Sequence, residues 1–205
     1  MEYRQRNPAT ADRCVVNALL HCVGVAVLLL LLPQSFCIAT DRSSITPDDL
    51  AVFRAVLRSH CRPMQQKYYV ISDLPISARD HAVPSGWSSR LPWADLAAPV
   101  PDGIRWPHKD VCAADRVVDG KKVDSIFERD AHIRSPPSWD PFYAQFPGAQ
   151  GLIRMSLPAF TPDHKDAVVY MQTTCNPLCG SGFYIELVRG KKGWRISRHE
   201  NAWIS

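Results

Sequence analysis

Downstream of residue 40, chemistry would have to be built from a short list of side chains. These are Cys61, Cys112, Cys175 and Cys179, six histidines at 60, 81, 108, 132, 164 and 199, and the glycine-flanked Ser181. Four cysteines in an exported domain read first as two disulfides, with three connectivities open. Cys175–Cys179 with Cys61–Cys112 is the favoured scheme. Asn176-Pro177 makes a turn that brings the first pair within the Cα separation of roughly 4.4–6.8 Å that a disulfide needs. The longer loop gains more from closure. A redox role for Cys175-x-x-x-Cys179 is disfavoured, because thiol catalysts place C-x-x-C at a helix N-terminus, where the dipole stabilises the thiolate. No second Cys or His pair completes a four-ligand zinc site, and neither a metal nor a cofactor is expected.

A Ser/His or Cys/His hydrolase needs nucleophile, base and orienting carboxylate to meet in space. Ser181 in Cys179-Gly180-Ser181-Gly182-Phe183 is not the strand-to-helix G-x-S-x-G elbow, and its glycines more simply permit a tight entry into a strand. Asp163-His164-Lys165-Asp166 is a polar turn with cation-binding residue types, for which a solvated loop is the favoured reading. Trp87, Trp93 and Trp106 lie in a segment, 74–110, studded with prolines at 75, 84, 92, 99, 101 and 107. Leaving three indoles in water is costly, so packing is favoured over a stacking platform for a ligand. They are nonetheless the aromatics to watch as ligand contacts.

The elements that must position these residues form one domain. A chain of 205 residues holds one ordinary domain plus a targeting segment. Arg4, Arg6 and Arg13 precede an apolar stretch from Cys14 to Leu32, ended by Pro33. Small residues at Cys37 and Ala39 have signal-peptidase spacing. Residues 1–39 therefore read as a cleaved signal peptide or an uncleaved membrane anchor, and 40–205 as an exported, periplasmic or secreted domain that touches membrane only through that segment. The 24 basic and 20 acidic residues are dispersed. Without a basic stripe to neutralise several phosphates at once, nucleic acid is not an expected partner.

Thr46-Pro47-Asp48-Asp49 reads as a helix start, with Leu50, Phe53, Val56 and Leu57 on one face and an end near Arg62. Residues 67–73 read as a strand, 123–132 as a short helix and 139–146 as one or two helical turns. Strands are expected at 152–157, 166–173, 183–189 and 194–198, the last two joined by a hairpin at Arg189-Gly190-Lys191-Lys192-Gly193. The expected class is α+β, an N-terminal helix packed on a four- or five-stranded antiparallel sheet, cystatin- or NTF2-like by analogy only.

From Trp139 onward a pattern appears: Trp139, Phe142, Phe146-Pro147, then Ala167-Val168-Val169-Tyr170, then Cys175 to Cys179 with Gly180 and Gly182, Gly193-Trp194, and Trp203-Ile204-Ser205. This stretch resembles a group of uncharacterised bacterial exported proteins whose C-terminal halves carry these elements in this order. The resemblance implies export and a shared fold, and no activity. Leu157-Pro158-Ala159-Phe160 departs from the Ser-Arg-x-Gly-Phe-like turn of that group, so no role for that arginine carries over. The function expected is a non-catalytic exported binding domain, its partner a ligand or an envelope component. A small extracellular hydrolase is the alternative, with a thiol-redox protein behind it.

Overall fold

In a computed structural model of the chain, residues 42–58, 68–87, 89–108, 116–131 and 137–205 are described. The signal-like segment, Cys61, Cys112, His60 and His132 lie outside the described residues, and so does the expected Cys61–Cys112 bridge. The first elements are helix α1 (Pro47–Arg58), strand β1 (Tyr68–Ser72), helix α2 (Trp93–Ala97), strand β2 (Arg116–Val118) and helix α3 (Gly120–Ala131). Then come helix α4 (Asp140–Gln145) and strands β3 (Ala149–Met155), β4 (Ala159–Phe160), β5 (Asp166–Asn176), β6 (Cys179–Gly190) and β7 (Gly193–Ile204). Among the described residues no helix is long and apolar enough to cross a membrane.

The class is α+β, and the sheet is mostly antiparallel but larger than expected. Its order is β2-β1-β3-β5-β6-β7, with β4 paired to β5 as a seventh strand. The all-antiparallel expectation is corrected at one end, where β1 runs parallel to both β2 and β3. Residues 73–115 separate β1 from β2, long enough for the crossover that parallel neighbours require. Strands β2 and β4 are three and two residues long, too short to leave a period-two signature in the sequence.

Both faces of the sheet are covered, by different elements. On one face, Val52, Phe53, Val56 and Leu57 of α1 pack with Ile71, Ile153, Met155, Val169, Met171, Ile185 and Leu187. Opposite them, alternation along the strands sends Tyr68, Val70 and Leu152 against Val123 and Ile126 of α3 and Phe142 of α4. Farther along this second face, Val168, Tyr170 and Tyr184 meet Ala78, Trp87, Leu91 and Leu96. Much of the Pro/Trp-rich segment is therefore an ordered cover, and it contains α2.

Helix α1 starts at a reciprocal cap. The Asp49 backbone N–H donates to Thr46 Oγ1 (3.1 Å) and Thr46 N–H donates to the Asp49 carboxylate (2.8 Å), an Asp version of the capping box. Arg42 pairs with the same carboxylate and donates to the Pro158 carbonyl (2.8 Å), so the buried Asp49 is fully satisfied. Phe53 in turn stacks on Trp106, ring centroids 4.3 Å apart at 16°.

Phe53→Ala is expected to cost about 3–5 kcal/mol, the range for deleting a buried ring. Leu178→Ser, at a side chain 86% exposed, should stay within roughly 0.5 kcal/mol of the parent. Urea unfolding of the two variants checks the contrast.

Candidate functional site

Cross-strand registry brings the unusual residues of the second face into one row. Arg154 on β3 is opposite Gln172 on β5, Gln172 is opposite Gly182 on β6, and Gly182 is opposite Trp203 on β7. The two glycines of β6 explain why the row holds together. A Cβ at Gly182 would lie 2.1 Å from Trp203 Nε1, and one at Gly180 would lie 3.0 Å from the far edge of the same indole. The Trp203 ring thus lies across both residues, flat against strand backbone that carries no side chains, and reaches inward toward β5. Its indole N–H donates to the Tyr170 hydroxyl (2.7 Å).

Three further groups converge there. Gln172 Nε2 donates to the Tyr170 hydroxyl (2.9 Å) and sits 3.4 Å from His81 Nε2. The His81 ring lies 4.7 Å from Tyr170 and 6.3 Å from Trp203, within 25° of parallel to the indole. His81 is held in turn by its carbonyl, which accepts from the Tyr184 hydroxyl (3.1 Å). Burial pushes the Tyr170 phenol above its ordinary value despite the hydrogen bonds from Gln172 and Trp203. Burial, with Tyr170 beside it, pushes Tyr184 up to about 12. Both phenols therefore stay neutral at physiological pH, so they orient partners and do not act as bases.

The row is polar where its surroundings are apolar, and it is open. Arg154 is 24% exposed and pairs with Asp124 of α3, itself 40% exposed. Gln172, Trp203 and His81 are all half-buried. Along β5, Asp166 to Met171 are buried and exposure begins at Gln172.

A second polar cluster sits at the carboxyl ends of the parallel strands. The Asp73 side chain, 2% exposed, follows β1 and accepts from Arg105 Nη1 (2.9 and 3.0 Å) and from the Gly120 backbone N–H (2.8 Å). His108 Nε2 lies 2.9 Å away, on a ring 54% exposed. Gly120 can approach only because it is glycine, since a Cβ there would meet Ser72 Oγ at 2.4 Å. Burial raises the Asp73 carboxyl, but the hydrogen bonds from Gly120, His108 and Arg105, with the Arg105 charge, outweigh it and hold the group below its ordinary value. A buried carboxylate holding a half-exposed histidine is one step of a catalytic triad. Among the described residues no hydroxyl or thiol hydrogen-bonds His108, and Arg105 and Gly120 take up the carboxylate's remaining capacity. The cluster acts as a brace joining β1, α3 and the 104–108 segment.

The other sequence candidates are scattered. Cys175 and Cys179 form a disulfide across the β5–β6 turn, Cα atoms 5.2 Å apart; Asn176 Oδ1 accepts from Leu178 N–H there (2.8 Å). Trp87 and Trp93 meet edge to face at 5.4 Å and both contact Tyr184. Trp87 Nε1 donates to Glu200 (2.6 Å) and Arg198 lies over its ring at 4.8 Å. Trp106 is 1% exposed and belongs to the core against Phe53. Ser181 pairs in the sheet with Thr173 and Ile204, and among the described residues no histidine hydrogen-bonds it. His164 stacks on Phe160 and His199 on Phe183. The Asp163–Asp166 turn closes on itself through Thr161 Oγ1, which donates to Asp163 (2.8 Å) and accepts from Asp166 N–H (3.1 Å). No three described His, Cys, Asp or Glu side chains gather as metal ligands. Sequence reasoning missed Arg154, Gln172 and His81 as a group. The available signal was an arginine inside the apolar run Leu152-Ile153-Arg154-Met155.

Gly182→Ala should dislodge the indole, lowering stability by at least about 2 kcal/mol, a typical strain cost for overpacking. Adding Trp203→Ala should restore most of the strain loss, and a double-mutant cycle by urea unfolding reads the coupling. Asp73 supplies a pH signature. Its folded pKa is below its unfolded value, so its contribution is present above the unfolded value and lost as pH falls through the folded one. The stability gap between the parent and Asp73→Asn should therefore be widest at pH 7 and shrink as pH drops below 4; a gap constant with pH would sink the ionic brace.

No family model matches the chain, and neither a curated protein nor a solved structure resembles it closely enough to lend it a function.

Proposed function

We propose that the protein is an exported, non-catalytic ligand-binding domain that holds a small molecule or an envelope component on the second face of its sheet. The observation that carries this reading is the half-open row of Arg154, Gln172, His81 and Trp203, seated where the cover of β5 ends. An amide and a histidine beside an indole, with an arginine farther along the same row, are what a recognition surface requires, a few placed polar groups next to an apolar wall. Neutral, hydrogen-bonded phenols behind them give rigidity without a nucleophile or base. Export rests on the Arg-flanked apolar segment before residue 33 and on the resemblance of the C-terminal stretch to exported bacterial proteins. The Cys175–Cys179 disulfide is consistent with an oxidising compartment. The cystatin- or NTF2-like arrangement stays an analogy for sheet-based ligand carriage, here with the site on the face opposite α1.

A small extracellular hydrolase is the second reading, favoured by the Asp73–His108 pair. It requires a nucleophile or activated water at His108, and replacing His108 with alanine would then abolish turnover of p-nitrophenyl acetate by the purified chain. Equal background rates for parent and variant would dispose of it.

Binding is tested by titrating the isotope-labelled full-length chain with a library of small planar fragments, neutral and charged. The Trp203 indole N–H and the Gln172 side-chain amide resonances are expected to shift together. Trp203→Leu should abolish the response at Gln172. Shifts confined to the surroundings of His108, or none in the sheet, would refute the reading.

A further inference from the structure

We propose that β7, the outer strand of the sheet, is a docking edge for a second copy of this chain. Two copies pair antiparallel across a two-fold axis at His199, which continues one sheet into the next. The inference is independent of the ligand-binding reading.

Strand β7 ends the sheet order. It is 12 residues long and contains no proline, whereas β2 at the opposite edge has three residues. Which of its backbone groups face outward follows from the hydrogen bonds at its two ends. Arg189 N–H turns away from β7 and donates to the Lys165 carbonyl (2.8 Å), so its cross-strand partner Trp194 directs its own backbone outward. Ser205 N–H donates to the Gly180 carbonyl (3.0 Å), which leaves Ile204, one residue earlier, facing outward too. Carrying the alternation along the register from both ends gives Trp194, Ile196, His199, Asn201 and Ile204 as the outward residues. Among the described residues, no backbone hydrogen bond from another segment reaches them. Such a row of open N–H and C=O groups is a template for another strand.

Two bulges decide where a partner strand can lie. Ile196 is opposite Leu187 but Arg198 is opposite Glu186, and Asn201 is opposite Phe183 but Trp203 is opposite Gly182. Ser197 and Ala202 are the extra residues, and each interrupts regular pairing. The regular template is therefore the four residues 198–201.

The charges of that template are complementary to themselves. With His199 opposite the partner's His199, Arg198 falls opposite the partner's Glu200, and Glu200 opposite the partner's Arg198. Both residues bond inward to β6, so across the new junction they form pairs of the non-hydrogen-bonded type, in which side chains lie closer. Centring the axis on Arg198 or on Glu200 would instead set like charges opposite each other, which is unfavourable. Both side chains are accessible, 42% and 36% exposed, and they already pair within one chain. Pairing of two copies thus adds cross-strand contacts without burying an unpaired charge. Once β7 is consumed, the remaining edge offers only the three residues of β2, and association closes at two chains.

Sedimentation equilibrium over a concentration series tests this on the full-length chain, in detergent so that the apolar stretch 14–32 stays solvated. The parent mass is expected to rise from one chain toward two and no further. His199→Pro removes an outward N–H and leaves the β6 ladder whole; it should stay at one chain at every concentration. Arg198→Glu and Glu200→Arg should each stay at one chain alone, since four like charges then meet around the axis. Mixed in equal amounts, they should recover the parent's association, because every cross-strand pair is again opposite in sign. That recovery also shows both variants to be folded. A parent that stays at one chain, a His199→Pro variant that associates like the parent, or mixed charge variants that fail to combine would overturn the proposal. Growth beyond two chains would overturn the closed two-fold pairing.

Discussion

A strand in the middle of a sheet must have both faces kept from water, and this requirement organises the whole molecule. From Asp166 to Met171, β5 is buried at every position, which neither α1 nor α3 can achieve alone. The α1 helix covers one face with Val52, Phe53, Val56 and Leu57. The other face is divided between α3 with α4 and the tryptophan-bearing segment around Trp87 and Leu96. Toward its end β5 comes to the surface, partly exposed from Gln172 to Asn176. The candidate site occupies the one stretch of the middle strand that the covers do not close.

Polar groups drawn into so thorough a burial must be satisfied, because an unpaired one costs as much as a core contact gains. Asp49 is consumed by the α1 cap and Arg42, Asp73 by Arg105, His108 and the α3 amino terminus, and Ser156 by the Tyr170 backbone N–H and the Leu157 carbonyl. Asp73 ties together segments remote in sequence, joining the end of β1 to residues 32, 35 and 47 positions away. These carboxylates are structural because their bonding capacity is exhausted. The groups of the sheet-face row differ, since Arg154, Gln172 and His81 keep surface toward solvent.

The Trp203–Gly182–Tyr170 contact links the fold to that row. It is a packing feature: the missing side chains of β6 allow the indole to lie across Gly180 and Gly182. Tyr170 accepts from both Trp203 and Gln172 and so fixes the stacking surface relative to the amide. The C-terminal strand thereby finishes the site as well as the sheet, and the Cys175–Cys179 bridge clamps the hairpin from which Gly180 and Gly182 emerge.

Local and periodic information was sufficient for the α+β class, for the antiparallel run β5-β6-β7 with its Arg189–Gly193 hairpin, and for the short bridge at Cys175 and Cys179, because each depends on residues close in the chain or on a period of two. The resemblance of the C-terminal stretch grouped Tyr170, Gly180, Gly182 and Trp203 in one pattern, without saying that they touch. The parallel pairing of β1 with β2 and β3, the ordering of the Pro/Trp-rich segment, the burial of Trp106 on Phe53, the alignment of Arg154 with Gln172 and the meeting of Gln172, His81 and Trp203 around Tyr170 were decided only in three dimensions. Those contacts join residues tens of positions apart, 91 in the case of Gln172 and His81, and hang on strand order and register. A shift of one residue in its strand would turn Arg154, Gln172 or Trp203 to the opposite face.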